Sequence, residues 1–271
     1  MQKTKLQILV TNDDSYTSEG IELVAKMLSK YGDVTVVAPK YPQSGKSAAL
    51  TLDAPLRCSK IASYTSGCNT TVTTWALTGT PADCVKWAAN YVYTENKPNL
   101  VVSGINHGSN TSAAAVYSGT LGAAAEGCLW GVPSIGISID THNPSPDFSG
   151  IERYLPELLE KIIANPPADG LYYNINFPNL PADKIKGARI ASQGKGRWVK
   201  EYEKRTDPKG ADYYWMTGNF EDLENSFNGD QRIMAEGYIS IVPHKVDTTD
   251  YSAMAGLAEK FNFNVKYNTI L

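Results

Sequence analysis

Residues 6–15 read Leu-Gln-Ile-Leu-Val-Thr-Asn-Asp-Asp-Ser, and this stretch is the strongest indication of the fold class. Leu6 to Thr11 is an apolar run of strand length, and two adjacent carboxylates, Asp13 and Asp14, follow it at once. Residues 20–30 then carry apolar side chains at helical spacing. A buried strand that ends in polar residues before a helix is typical of an open α/β sheet, whose ligands bind beyond the carboxyl ends of the strands.

The same alternation of strand and helix continues through the first two thirds of the chain. Further strands are predicted over 34–38, 100–105, 134–139 and 172–177, and helices over 81–93, 118–130 and 151–164. Residues 50–77 alternate and are rich in threonine, which indicates antiparallel strands. Because the other strands are apolar on both faces and are separated by helices, the pattern predicts an α/β fold with a mainly parallel sheet flanked by helices.

The last third of the chain has a different composition, with many charges, glycines and aromatic residues between positions 184 and 230. Strands are predicted over 188–192, 212–217 and 238–242, and a terminal helix over 251–261. No linker is strong enough to force two independent domains.

Composition excludes several classes of protein. The 271 residues carry 25 basic and 28 acidic side chains, a net charge of −3, and 42% are apolar, which is the balance of a globular protein. Nucleic acids and membrane surfaces attract basic proteins, so we expect neither as a partner. No apolar run approaches the roughly 18 residues of a membrane span, and no targeting segment is visible, so we expect a cytoplasmic protein.

The four cysteines are not spaced as zinc ligands, which predicts buried free thiols in a reducing compartment. A disulfide between Cys58 and Cys68 is the alternative.

Oxygen ligands follow several of the predicted strands. Asp13 and Asp14 follow the first strand, Ser44 lies in the segment after the second, and Asn106 follows a later strand. Carboxylate, hydroxyl and amide oxygens together suit a hard cation such as Mg²⁺ or Mn²⁺. The alternative is turn and helix-cap chemistry, which uses the same residue types.

A second polar segment, Tyr117-Ser118-Gly119-Thr120, directly precedes an alanine-rich helix. Hydroxyls and free backbone N–H groups at a helix start can bind phosphate, and Asn110 in the preceding loop could reach the same phosphate. A simple Ser/Thr helix cap is the alternative.

The sequence is compatible with two roles for each of two further features. His107, beside the candidate metal loop, is either a proton carrier or a structural histidine whose hydrogen bonds are satisfied. The basic stretch over 195–209 either attracts anionic substrates or is a solvated hairpin face.

Taken together, the motifs point to one family. They are Thr-Asn-Asp-Asp at 11–14, Val-Ala-Pro at 37–39, Ser-Gly at 44–45, Thr-Gly-Thr-Pro-Ala-Asp-Cys at 78–84, Val-Val-Ser-Gly-Ile-Asn at 101–106, Gly-Ser-Asn at 108–110, Tyr-Ser-Gly-Thr at 117–120 and Gly-Tyr-Ile-Ser-Ile at 237–241 with Val246-Asp247. This set resembles the SurE family, stationary-phase survival proteins that act as 5′/3′-nucleotidases. One departure is Ser15, where the family usually has glycine; a positive φ there would cost the serine about 1 kcal/mol or more.

The resemblance implies roles for individual residues. The metal ligands, for one divalent cation per subunit (Mg²⁺ or Mn²⁺), would be Asp13, Asp14, Ser44 and Asn106. The substrate-binding residues would be Asn12, Gly45, Asn110, Ser118, Gly119 and Thr120. The catalytic residues would be Asp13, Asn110 and Ser118.

The resemblance also implies an architecture. Residues 1–183 would form a Rossmann-like catalytic core and 184–237 a protruding β-hairpin extension. Residues 238–271 would add a late core strand and a C-terminal segment exchanged between subunits of a homodimer or homotetramer.

The predicted activity is metal-dependent hydrolysis of nucleoside 5′- and 3′-monophosphates by a metal-activated water, which Asp13 would orient. Asp13 acting as a nucleophile is left open. Two other functions are also open: a related phosphohydrolase acting on short polyphosphate or sugar phosphates, and a nucleotide-binding protein without activity.

Overall fold

The computed structural model describes residues 5–143, 145–223 and 227–263. Its centre is a nine-stranded sheet in the order β3-β4-β2-β1-β5-β6-β7-β13-β8. These sheet strands are β1 (Leu6–Thr11), β2 (Gly32–Pro39), β3 (Cys58–Thr65), β4 (Thr71–Leu77), β5 (Leu100–His107), β6 (Ser134–Ile139), β7 (Leu171–Phe177), β8 (Ala188–Ile190) and β13 (Ile239–Lys245). Residues 1–4 of the predicted core and 264–271 of the predicted C-terminal segment lie outside the described residues.

Helices cover both faces of this sheet. The helices of the described residues are α1 (Glu19–Leu28), α2 (Pro81–Tyr91), α3 (Ala114–Tyr117), α4 (Gly119–Leu129), α5 (Ser149–Ala164), α6 (Asp230–Ala235) and α7 (Tyr251–Phe261). Helices α1 and α5 pack in the core on one face, and α2 and α4 pack in the core on the other. The strands from β4 through β2, β1, β5 and β6 to β7 are all parallel, whereas β3 and β13 are antiparallel to their neighbours β4 and β7. The predicted mainly parallel α/β sheet is confirmed.

Alternate side chains of the central strand enter two different cores. Ile8 and Val10 pack in one apolar cluster with Ile21 of α1 and Leu155 of α5, whereas Leu9 packs in a second cluster on the opposite face. All three β1 side chains are fully buried. A strand covered on both faces is apolar on both faces, which is why residues 8–10 of β1 show no alternation in the sequence.

Polar residues set where the helices begin. The Ser18 side chain accepts from Ile21 N–H ahead of α1, and Ser118 accepts from Leu121 N–H ahead of α4. At α2, Thr80 and Asp83 form a reciprocal capping box. These caps place the starts of α1 and α4 just beyond the carboxyl edge of the sheet.

The predicted strand over 238–242 continues to Lys245 and passes through Pro243. Proline lacks an N–H and is confined to unpaired strand edges. On one side β13 pairs with β7 throughout, but on the other side β8 pairs only as far as Ile241. Pro243 therefore faces an open edge.

The region between β8 and β13 carries two small antiparallel sheets. One pairs β10 (Tyr202–Thr206) with β11 (Asp212–Met216), and the other pairs β9 (Arg197–Val199) with β12 (Asn219–Glu221). Every residue of β10 and β11 is exposed, including Trp215. This is the predicted β-hairpin, while β9, β12, α3 and α6 are too short to show a period in the sequence. The division of the chain into domains stays a prediction.

All four cysteines are free. Cys84 and Cys128 are buried as predicted, but Cys58 is partly exposed and Cys68 is exposed. Because β3 begins at Cys58 and Cys68 lies in the turn beyond its end, the strand separates them by roughly 20 Å. A disulfide needs Cα atoms about 6 Å apart, so the alternative of a Cys58–Cys68 bridge is wrong.

No helix within residues 5–143, 145–223 and 227–263 is long and apolar enough to cross a membrane. The cytoplasmic location stays a prediction.

Candidate active site

The Asp13 side chain lies at the centre of three converging segments. It follows β1, and its carboxylate Oδ1 accepts a hydrogen bond of 2.7 Å from the hydroxyl of Thr120 in α4. Its backbone carbonyl accepts from Gln43 N–H at 2.7 Å, in the loop after β2. Asp13 is 3% exposed, so the carboxylate is held inside the protein between these segments.

Asp14 is held by the neighbouring strand β5. Its Oδ2 accepts from the backbone N–H of His107 at 3.0 Å and lies 3.0 Å from Nδ1 of the same residue. This hydrogen bond raises the pKa of His107, whose ring also packs edge-on against Phe148. Nδ1 of His107 therefore has a structural role, which is one of the two roles that the sequence left open for this residue. Its Nε2 is buried and has no hydrogen-bond partner among the described residues.

Asn106 directly precedes His107, which is bonded to Asp14, and β5 is irregular next to it. The pairing of β5 with β6 shifts register between Ser103 and Asn106. Gly104, inside this shift, has φ of +137°, and a Cβ there would lie 2.3 Å from the carbonyl oxygen of Ile137. Only glycine fits such a position, and irregular pairing of this kind re-aims side chains near active sites. The Asn106 amide nitrogen donates to Gly108 O at 2.6 Å, which turns the amide oxygen the other way.

The loop after β2 brings the remaining predicted metal ligand to the same edge. Ser44 follows Gln43, which is bonded to Asp13, and Gly45 has φ of +73°. Both residues are exposed. Further along, Ser47 bonds the backbone carbonyls of Val116 and Tyr117, so this loop is fastened to the segment ahead of α4.

The electrostatics of the two aspartates favour a bound cation. Burial, together with the negative charge of Asp14, raises the pKa of Asp13 to about 6. A cation between two carboxylates removes that repulsion. No three acidic, histidine or cysteine side chains among the described residues are grouped to hold a metal ion. A metal here would therefore need the neutral oxygens of Ser44 and Asn106 as well, and this mixed set fits a hard divalent cation.

The start of α4 adjoins the aspartates directly. Ser118 caps the helix through its hydroxyl, and Thr120 donates its hydroxyl to Asp13. A Cβ on Gly119 would lie 3.1 Å from Asp13 Oδ2, so glycine allows the close approach. The first N–H groups of a helix have no carbonyl partner within it, and they favour an anion.

Asn110 is fixed by a buried polar network that the sequence analysis missed. Its backbone N–H donates to Asn176 Oδ1 and its side-chain nitrogen to Ser138 Oγ, both at 2.8 Å. Asn174 donates to the Asn110 carbonyl oxygen and accepts from Asn176, each at 2.8 Å. All of these residues are buried. The signal was present as Asn-Ile-Asn at 174–176, because asparagine is depleted in strands and in cores.

Asn12, expected to bind substrate, braces the loop. Its amide nitrogen donates to Ser15 O at 2.9 Å and to Ser18 Oγ at 2.8 Å. The amide oxygen is buried without a hydrogen-bond partner among the described residues. A contact between Asn12 and substrate stays a prediction.

Ser15 has φ of +94°, the positive value that the family glycine suggested. Its hydroxyl accepts from Thr17 N–H at 3.2 Å and shares a hydrogen bond of 2.9 Å with the Thr17 hydroxyl. These bonds hold an L-residue in a conformation that normally favours glycine.

The whole chain and its architecture match known proteins. The family model described as "Survival protein SurE" matches residues 8–200. The chain belongs to the SurE family.

SurE relatives cover nearly its full length. A protein of Cytophaga hutchinsonii named 5′-nucleotidase SurE is 39% identical over 260 residues, 96% of this chain and 98% of its own length. One of the same name from Christiangramia forsetii is 38% identical, covering 95% of this chain and 98% of the relative. The crystal structure of the SurE protein from Aquifex aeolicus superposes with a TM-score of 0.78 at 33% identity, covering 94% of this chain and 99% of that one.

Replacing Asp13 by asparagine should stabilise the metal-free protein at neutral pH. The raised pKa means that ionised Asp13 opposes folding, a cost that appears above the unfolded pKa near 4 and is complete above about 6. We expect Asp13→Asn to unfold at higher urea than wild type at pH 7.5 in EDTA, with a gain of up to about 3 kcal/mol in the free energy of unfolding, and the advantage to vanish at pH 4. Asp33→Asn, at the opposite edge of the sheet, is the control. An advantage independent of pH would contradict the argument.

Ser15→Gly should also stabilise the protein, because glycine relieves the positive φ. The lost hydrogen bonds to Thr17 offset part of the gain, and we expect a net increase of about 1 kcal/mol in the free energy of unfolding. Ser18→Gly is the control without strain: its φ is −70°, it caps α1 and it accepts from Asn12, so this variant should lose about 1 kcal/mol or more. Urea titration measures both, and a destabilised Ser15→Gly would refute the strain.

Proposed function

We propose that this protein is a metal-dependent phosphomonoesterase that hydrolyses nucleoside 5′- and 3′-monophosphates to nucleoside and inorganic phosphate. The observation that carries the proposal is the hydrogen bond between Thr120 and Asp13, because it joins a paired-carboxylate site to a helix start suited to phosphate. The relatives named 5′-nucleotidase SurE support the 5′ activity. The 3′ activity rests on the family resemblance alone.

One divalent cation, Mg²⁺ or Mn²⁺, would be held by Asp13, Asp14, Ser44 and Asn106. When bound, it would polarise the phosphoryl group and acidify a bound water. His107 has a positioning task here, since its backbone and ring fix one oxygen of Asp14.

Asp13 is the residue we assign to orienting the attacking water. Its hydrogen bond from Thr120 fixes the carboxylate, so that an oxygen of Asp13 can accept a hydrogen bond from the water. The same carboxylate could instead attack phosphorus directly and expel the nucleoside, with water then releasing phosphate from the aspartyl-phosphate. The stereochemistry at a chiral phosphorus separates the two routes, because one displacement inverts the configuration and two displacements retain it.

The phosphoryl oxygens would be received by the first turn of α4 and by the loop before it. Gly119 contributes a backbone N–H group, Thr120 links this turn to Asp13, and Ser118 starts the helix whose dipole favours the anion. Asn110 has one side-chain hydrogen on Ser138, and its second hydrogen remains for a phosphate oxygen. Donors held in place before the reaction stabilise developing charge at little reorganisation cost. Asn12 and Gly45 complete the proposed substrate contacts.

We further propose that the protein assembles as a homodimer or homotetramer through its C-terminal segment. Helix α7 has no buried residue, yet Met254, Leu257, Ala258 and Phe261 recur at helical spacing along it. An isolated helix of 11 residues is marginal in water, so its apolar stripe needs a covering surface. A second copy of the chain is the occupant that the exchanged segment of the family implies.

Phosphate release from 5′-AMP and 3′-AMP tests the activity directly. We expect release with Mn²⁺ or Mg²⁺, none with EDTA, and a fall of at least about 100-fold in Asp13→Ala, because that variant loses both a metal ligand and the water-orienting group. Asp33→Asn should keep wild-type rates. Tripolyphosphate and a sugar phosphate are run beside the nucleotides. Faster turnover of tripolyphosphate or the sugar phosphate would favour the related phosphohydrolase. Nucleotide binding without phosphate release would favour a nucleotide-binding protein without activity.

Light scattering after size exclusion tests the assembly. Wild type should elute as a dimer or tetramer of the 29.5-kDa chain, and Leu257→Asp with Phe261→Asp should elute smaller, because charges then occupy the apolar stripe of α7. Glu259→Ala on the same helix is the control. A monomeric wild type would sink this part of the proposal.

A further inference from the structure

Asp230 carries a buried charge that the proposed mechanism does not use. It is fully buried at the first position of the short helix α6, distant in sequence from every residue assigned to the site. A buried carboxylate is costly unless hydrogen bonds compensate it, so its partners show what it holds.

Those partners belong to two other segments. The carboxylate accepts from the backbone N–H groups of Ser112 at 3.0 Å, Gly194 at 3.1 Å and Gln231 at 2.8 Å, with the Ser112 hydroxyl at 3.4 Å. Only the bond from Gln231 lies within α6. An ordinary helix-start aspartate would serve its own helix, whereas most of these bonds leave it.

The segment over 192–196, which leads into the β9 and β10 strands, is here called the hairpin base. The loop that carries Asn110, residues 108–113, packs directly against it. Gln193 Nε2 donates to Ser112 O at 2.9 Å, and Ala113 N–H donates to Gly196 O at 3.1 Å. A Cβ on Gly194 would lie 2.4 Å from Ser112 Oγ, so the two backbones approach as closely as glycine allows.

We propose that Asp230 is a positioning residue for substrate phosphate: it locks the 108–113 loop against the hairpin base and so holds the Asn110 amide in place. This inference rests on the proposed function, which gives Asn110 its task. On one side the loop is anchored to the sheet, through Asn110 to Ser138 and Asn176. On the other side Asp230 holds Ser112, whose φ of +51° would otherwise favour relaxation of the loop.

The assignment gives the Gly194-Lys195-Gly196 segment a purpose that its sequence alone did not show. Gly194 lets the hairpin base lie against the 108–113 loop, and the Gly196 carbonyl oxygen accepts from Ala113 N–H. The orientation of the hairpin and that of Asn110 are therefore coupled through Asp230. A displacement of about 1 Å at a substrate-positioning group can cost on the order of 100-fold in rate, so this contact can control activity from outside the site.

A double-mutant cycle between Asp230→Asn and Asn110→Ala tests the proposal in the full-length protein. Asparagine keeps the size of the side chain but turns an NH₂ toward N–H donors. We expect Asp230→Asn to lower kcat/KM for 5′-AMP by about tenfold and to raise the inhibition constant of inorganic phosphate. In the Asn110→Ala background it should change either quantity by less than about twofold, because groups that act through one contact are not additive.

Three outcomes would overturn the inference: effects that multiply in the double variant, an unchanged phosphate inhibition constant, or a lower melting temperature with unchanged kcat/KM. Asp33→Asn controls for loss of a structural carboxylate. If Asp230→Asn does not fold, Gln193→Ala and Gly194→Ala replace it in the same cycle, since each disturbs the hairpin base without touching the catalytic groups. Wild type and Asn110→Ala alone report on the proposed function, so its failure is distinguishable from failure of the Asp230 contact.

Discussion

Two neighbouring carboxylates, one of them buried, form the constraint around which the rest of the site is arranged. Asp13 is buried away from water and lies next to the negative charge of Asp14, and both raise its pKa. The protein compensates only in part, with the Thr120 hydroxyl on Asp13 and the His107 backbone on Asp14. The cation proposed for this site would offset the remaining negative charge.

The same constraint explains the backbone features nearby. Ser15 has a positive φ directly after the two aspartates. Gly104 also has a positive φ, and it allows the irregular pairing of β5 with β6 next to Asn106. Gly119 lets α4 begin against Asp13. Each feature is unfavourable or permissive in isolation, and together they draw three segments to one edge of the sheet. Local departures from ideal geometry therefore accumulate where the chemistry is proposed.

Asp230 extends this organisation beyond the carboxyl edge of the sheet. The loop of Asn110 is held by buried asparagines of β7 on one side and by Asp230 with the hairpin base on the other. The hairpin base thereby contacts the 108–113 loop, which carries Asn110. Variation in the hairpin can then reach the site without any change in the proposed ligands.

The alternating α/β core and the sheet edge that carries the proposed site are evident from the sequence, because an apolar strand, a helical period and a helix cap are each encoded within a few neighbouring residues. The motifs at 11–14 and 117–120 are local signals of this kind. The contacts of Asn174 and Asn176 with Asn110, and those of Asp230, are evident only in the folded structure. Such features depend on residues far apart in the chain meeting in space, and local periodicity carries no record of those long-range pairings.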